Sequence, residues 1–390
     1  MATRRDALKT LGVAALALAA GRFATARAAA WQPYPRTVAI DGAGGTGLFW
    51  FENDDAAIRQ ELDAIRASGL SGIVLTLAPS GRFWLDDAAF EKTKATIDTW
   101  DRIIARYPDH LLAVRSGDDL QRAQREGKLG LVYGFQGTES LGEDLDRIAL
   151  FRARGVRVIQ LTHNRRNLVG DGCMEPGNAG LSNFGRQVVE RLNAEKIVVD
   201  LAHGSARTMA EGIAASRAPM LISHTGCRAL ADLPRNTDDA TLRALAEKGG
   251  VAGIIFWPYL RTDTQPMAID VIRHIEHAVN VSGEDHVGIG TDAGIAPIER
   301  TSEYEKDNRE WVAGAVEDGV FDRGRPPDLY TFIPDLNRAD RFDMLAAMLS
   351  KRGHSDVRIA KILGGNFARV MGEVWDRTAG YSSLIKGVHT

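Results

Sequence analysis

Three histidines close consecutive apolar runs of the chain. His163 ends Val156–His163, His203 ends Ile197–His203 and His224 ends Pro219–His224. Asp41, Gln136 and Asp292 close three further runs, Val38–Asp41, Leu129–Gln136 and Val287–Asp292. Two neutral imidazoles and a carboxylate are common ligands of a catalytic zinc that keeps one position open for water. If the runs lie side by side, His203 and His224 converge on one such cation. Asp292 can then take a proton from the water, and His163 can donate to a developing oxyanion. A lone histidine at a strand end reads as a hydrogen-bonded core residue. Three of the chain's nine at this one positional class point to chemistry.

The runs that carry these residues are short and almost wholly apolar, as strands buried on both faces of a parallel sheet must be. With Gly72–Ala78 and Val251–Phe256 there are eight. Amphipathic stretches separate them: Asp54–Ser68, Asp86–Tyr107, Gly142–Arg154, Ser182–Ala194, Ser205–Ser216, Asp238–Lys248 and Met267–Val281. Several open on an Asp or Ser suited to an N-cap. Eight strand–helix alternations predict an α/β chain folded as a (β/α)8 TIM-like barrel, whose chemistry sits at the C-terminal strand ends. An open doubly wound sheet is the alternative. His110–Arg115 is a ninth candidate strand, read with Gly117–Glu126 as an accessory element before strand three. Residues 293–335 are expected to overhang the barrel mouth. Three C-terminal helices, Leu336–Arg352, Asp356–Leu363 and Phe367–Trp375, are expected to pack outside. Residues 31–390, with this extension over 336–390, read as one domain.

The first thirty residues read as an address. Arg4-Arg5 precede Leu8-Lys9, an apolar run Leu11–Ala20 and Ala-rich sequence to Ala30, the pattern of a twin-arginine export signal. Ten apolar residues are too few to span a hydrocarbon core of about 30 Å, so stable membrane insertion is not expected. The expected location is the periplasm, and the twin-arginine machinery an expected partner. The net charge of −3 becomes −7 once five cations and one anion leave with residues 1–30. An acidic chain of this kind is not captured electrostatically by nucleic acid. Of the two cysteines, Cys173 and Cys227, the sequence allows either one bridge or two thiols.

Several stretches resemble the renal (membrane) dipeptidase family, a branch of the metal-dependent amidohydrolase barrels. They are Gln160-Leu161-Thr162-His163, Asp200-Leu201-Ala202-His203, Ile222-Ser223-His224, Arg235-Asn236, Gly288-Ile289-Gly290-Thr291-Asp292 and Ile362-Leu363-Gly364-Gly365-Asn366-Phe367. They keep the family's order from strand four to the C-terminus. The resemblance implies hydrolysis of dipeptides by two bridged zinc ions. It makes His203 and His224 ligands of one metal, Asp292 a ligand of the other or the base, and His163 a contact to substrate and transition state. Arg235 would grip a substrate carboxylate, for which a guanidinium fork is well shaped. A homodimer is a further implication.

The chain departs from that family at three positions. Where the family has Asp-Gly-His-x-Asp after strand one, Asp41-Gly42-Ala43-Gly44-Gly45 stands here, and Gln136 replaces the bridging Glu. A neutral amide offsets no cationic charge, so one zinc per chain is expected, on His203 and His224. The Gln136 carbonyl or Glu139 could complete its shell, or Gln136 could contact substrate. The expected function is an exported, dipeptidase-like metal-dependent hydrolase of a small peptide or amide. Two alternatives stay open: a metal-free isomerase or tailoring enzyme using His163 and Asp292, and a peptide-binding pseudoenzyme.

Other features carry weaker expectations. Gly42–Gly47 could cradle phosphate, or clear space for substrate beside Phe49, Trp50 and Phe51, or simply turn above a buried aromatic cluster. His274 and His277 have the spacing of a solvated outer-helix pair. Arg165 and Arg166, directly after His163, could bind an anionic substrate or pair with acidic loop residues.

Overall fold

A computed structural model describes residues 30–51, 54–78, 88–317, 320–321 and 324–376. The export signal read from residues 1–30 lies, but for Ala30, outside them. Eight parallel strands follow one another around a sheet: β1 Ile40–Asp41, β2 Gly72–Thr76, β3 Leu129–Phe135, β4 Val156–Gln160, β5 Val198–Asp200, β6 Leu221–Thr225, β7 Val251–Ile254 and β8 Val287–Ile289. Each pairs with the next in register, for example Val74 with Val132 and Gln160 with Asp200. The short strand Leu111–Ala113 pairs with β3 off this path, the accessory element expected from HLLAVR.

The sheet curls into a nearly closed (β/α)8 barrel. Between β8 and β1 the gap is bridged by the Gly42 N–H donating to the Ile289 carbonyl (2.9 Å) and the Asp292 N–H donating to that of Ala43 (2.7 Å). Beyond it, the two-residue strands Gly44–Gly45 and Ala293–Gly294 run parallel. The outer layer comprises α1 Asp55–Ser68, α2 Ala88–Arg106, α3 Gly117–Glu126, α4 Asp146–Ala153, α5 Asn183–Ala194, α6 Ala206–Ala215, α7 Asp239–Glu247 and α8 Ala268–Ser282. Asp54, Ser182, Ser205 and Asp238 cap their helices through the side chain, as their positions in the sequence predict.

Two apolar layers result. The larger lies between strands and helices. The smaller fills the barrel itself with Ile40, Val74, Val132, Val158, Val198, Leu221 and Val251. Here one expectation is corrected. The helices α9 Ser302–Glu317, α10 Arg341–Lys351, α11 Asp356–Ala360 and α12 Asn366–Trp375 do not all pack outside. α12 stoppers the barrel, its Phe367 ring buried among the interior valines. Gly42 and Gly288 make room for that ring, since a Cβ on either would come within 2.6 and 2.5 Å of it. Burying an aromatic side chain stabilises by about 1.5–3 kcal/mol, so the stopper fixes the strands whose far ends carry the site. Among the described residues, no helix is long and apolar enough to cross a membrane.

Candidate active site and metal centre

The β5, β6 and β8 ends bring three expected residues together. Ligand atoms of His203, His224 and Asp292 all lie within 4.8 Å of one another. His203 and Asp292 hold left-handed backbones, φ 61° and 55°, which two non-glycine residues adopt only where the surroundings impose it. His163, at the β4 end, stacks on His203 with ring centroids 4.2 Å apart.

The hydrogen bonds around the two buried imidazoles decide what they can do. His203 Nδ1 meets Asn164 Oδ1 at 2.7 Å, and because Oδ1 only accepts, Nδ1 carries the proton. Asn164 is brought there by a loop that folds back onto β5. The Cys173 N–H donates to the His203 carbonyl (2.7 Å), and a side chain on Gly172 would overlap the His163 carbonyl. His224 Nδ1 meets Ser223 Oγ at 2.8 Å. The Ser223 N–H donates to the buried Asp200 carboxylate (2.9 Å). With each Nδ1 engaged from behind, the two Nε2 atoms face each other 2.9 Å apart.

Burial, with Arg235 and His163 nearby, holds His224 well below the ordinary histidine range, so this ring is neutral near pH 7. Opposed neutral nitrogens in a buried cleft are stabilised by a cation between them, as ring N–H groups engaged elsewhere orient ligating histidines generally. The donor set therefore fits one metal ion.

It does not fit two. Ala43 and Gly45 offer no side-chain ligand. The Asp41 carboxylate faces the barrel seam, accepting from the N–H groups of Ala43 (3.1 Å) and Thr291 (2.8 Å) and from the Thr291 hydroxyl. Burial pushes it up to about 7, against those hydrogen bonds and the charge of Arg341. Glu139 is buried in a short 3-10 turn at Glu139–Leu141 and stands outside the His203–His224–Asp292 group, so the substitute-ligand expectation does not hold. Gln136 sits half-buried just past the end of β3, its carbonyl accepting from Gln160 Nε2 at 3.2 Å.

Arg235 lies under the same mouth with only 2% of its surface exposed. One terminal nitrogen donates to the His224 carbonyl (3.0 Å), its guanidinium is 5.8 Å from the centre of the Tyr259 ring, and its Nε has no hydrogen-bond partner among the described residues. A buried donor left unpaired costs about 1–3 kcal/mol, and it marks a place for an acceptor.

The weaker expectations resolve as follows. Glu61 on α1 accepts from the Thr46 hydroxyl and the Gly47 N–H, both at 2.9 Å, so an acid already occupies the Gly-rich turn where a phosphate would sit. Phe49 stacks on Trp100 and Trp50 is exposed. Arg166 pairs with the buried Asp171. His274 is not solvated: it is buried between the Cys227 N–H and the Leu260 carbonyl, while His277 bonds to Asp239. Cys173 and Cys227 are separate buried thiols. The sequence reading left Asn164, Ser223 and Asp200 without roles, although each lies beside a strand-end histidine or within the same short stretch.

Comparison with known proteins adds identity to this geometry. A profile of the membrane dipeptidase family, peptidase family M19, matches residues 44–308. The chain belongs to that family. Dipeptidase verJ of Clonostachys rogersoniana is 30% identical over 293 residues, 74% of this chain and 67% of its own length. Dipeptidase tcpJ of Claviceps purpurea is 29% identical over 328 residues, 82% and 69% respectively. Among solved structures, an amidohydrolase from Pseudomonas aeruginosa superposes with a TM-score of 0.74 at 28% identity, covering 88% of this chain and 98% of its own. A metallopeptidase from Rhodobacter sphaeroides, solved with a phosphinate mimic of L-Ala-D-Ala, shares the fold at 19% identity with a TM-score of 0.69, covering 87% and 100%. This membrane dipeptidase relative is thus a hydrolase of the M19 type, a metallopeptidase family, with the fold and family that its sequence resembled.

Proposed function

We propose that the chain is an exported hydrolase that cleaves a small peptide or amide with one zinc ion held by His203 and His224. The observation that carries this reading is the pair of buried Nε2 atoms facing each other at 2.9 Å with Asp292 beside them. A zinc ion there would polarise the scissile carbonyl and acidify a bound water.

The chain's own residues supply the rest. Asp292 takes the water's proton and passes it to the leaving amine. His163, stacked on His203, donates to the oxyanion as the carbonyl carbon becomes tetrahedral. The Nε of Arg235 holds the substrate carboxylate, and Gln136 offers its amide to the peptide from the β3 end. A dipeptide with a free C-terminal carboxylate suits this set, consistent with the dipeptide mimic bound by the solved Rhodobacter relative.

Elemental analysis of protein purified from periplasm without chelators tests the reading. One zinc per chain is expected, and none in a His203→Ala/His224→Ala variant that still folds. A wild-type chain that stays metal-free in excess zinc would overturn it and leave proton transfer between His163 and Asp292. In that case turnover gives a product of unchanged mass rather than one heavier by water.

A further inference from the structure

Asp292 is held through its backbone from two sides. Its N–H donates to the Ala43 carbonyl across the β1–β8 seam. Its carbonyl accepts from the indole Nε1–H of Trp257 at 2.8 Å. Trp257 follows β7 and has no part in the chemistry proposed above. Two of its ring neighbours, Trp311 and Phe321, belong to the segment 293–335. The ring lies parallel to Tyr259 at 6.0 Å, meets Trp311 of α9 edge-on at 5.9 Å and tilts against Phe321 at 6.3 Å. The Tyr259 hydroxyl donates to the Val320 carbonyl (2.9 Å), which ties the same turn to the same segment.

We infer that Trp257 is a positioning residue for Asp292: its indole N–H holds the left-handed backbone that turns this carboxylate toward His203 and His224, and the aromatic stack joins that posture to α9. The inference rests on the cation-site reading of these three residues, in which the Asp292 carboxylate, within 4.8 Å of both imidazole ligand atoms, adds its negative charge to the cation's affinity. Among aromatic side chains of this size only the indole carries a donor and no acceptor, so a peptide carbonyl is the partner it specifies. A left-handed aspartate is strained, and one half-buried hydrogen bond to its carbonyl is a sizeable share of what opposes that strain.

Two variants separate the hydrogen bond from the stack. Trp257→Phe removes the donor and keeps a ring in place, whereas Trp311→Phe trims the stack and keeps the donor. Two readouts follow: amide hydrogen exchange over residues 290–296, and zinc affinity by competition with a chromogenic chelator. Trp257→Phe is expected to speed exchange and weaken zinc by about ten-fold, and the zinc effect should vanish in an Asp292→Asn background, where there is no carboxylate left to position. Trp311→Phe should change neither readout by more than about two-fold. Unchanged exchange in Trp257→Phe overturns the inference, as does an equal loss of zinc affinity with and without Asp292. A wild-type chain that binds no zinc overturns the cation reading instead, and the exchange measurement then decides alone whether Trp257 anchors Asp292.

Discussion

The two sides of the barrel mouth are made of the same kind of strand end and are wired differently. On the β5–β6–β8 side the polar groups converge, with His203, His224 and Asp292 aimed at one point and both Nδ1 atoms held from behind by Asn164 and Ser223. On the β1 side the acids are turned to the backbone. Asp41 takes three hydrogen bonds from Ala43 and Thr291, and Glu61 takes two from Thr46 and Gly47. A carboxylate saturated by N–H and O–H donors has its lone pairs engaged and closes a seam. An imidazole held at one nitrogen leaves the other to face a ligand. Whether an acid or a histidine serves structure or chemistry is decided by where its second set of lone pairs points.

The largest expected effect would break this contrast outright. Asp292→Asn should lower kcat/KM for the best-turned-over dipeptide of a substrate screen by about 10³-fold, within the range general-base removal brings, whereas Gln136→Ala should cost less than about ten-fold. Equal losses would put the β3 end into the chemistry.

A smaller effect sharpens the other side. Asp41 is raised to about 7 in the fold, against about 3.9 unfolded. The native state therefore binds its proton more tightly. Asp41's favourable contribution is full below pH 4 and is lost as pH rises to 7. Asn mimics the neutral acid: its Oδ1 keeps the two N–H bonds from Ala43 and Thr291, and its Nδ2 donates to the Thr291 hydroxyl in place of accepting from it. Asp41→Asn should accordingly raise stability at pH 8 by up to about 4 kcal/mol in urea unfolding, leave it unchanged at pH 4, and leave zinc affinity within about three-fold. A large loss of zinc affinity in Asp41→Asn would make the β1 side part of the metal centre.

The barrel and the strand-end cluster were legible because both rest on period and position: apolar runs mark buried strands, and the residue closing each run falls at the mouth. The missing ligands at Ala43, Gly45 and Gln136 were legible only through the resemblance to the membrane dipeptidase family. What escaped the sequence depends on contacts between distant segments. Phe367 inside the barrel needs glycines at 42 and 288, far apart in the chain, to make room for its ring. Trp257 reaches Asp292 across 35 residues, and nothing local marks the indole as a donor to a carbonyl. Asn164 meets His203 only because the β4 loop folds back at Gly172.

His274 shows the limit of spacing most directly. Its interval to His277 suggests a wet helix face, yet the ring is buried on α8 with both nitrogens used: Nδ1 accepts from the Cys227 N–H (2.8 Å) and Nε2 donates to the Leu260 carbonyl (3.0 Å). That ring needs no cation, unlike the His203–His224 pair, and it must stay neutral to accept at Nδ1. Burial lowers it from about 6.5 to about 4. Its contribution to stability is therefore full above pH 6.5 and disappears as pH falls to 4, on the order of 3 kcal/mol in all. The trend is opposite to that of Asp41 over the same window, so it is read most cleanly in the Asp41→Asn background. There, urea unfolding should show stability falling from pH 6.5 to 4, and adding His274→Gln should flatten that slope without changing zinc affinity. A slope that survives the substitution would assign the acid sensitivity elsewhere, to buried His224 or to ion-paired carboxylates such as Asp171, Glu276 and Glu284.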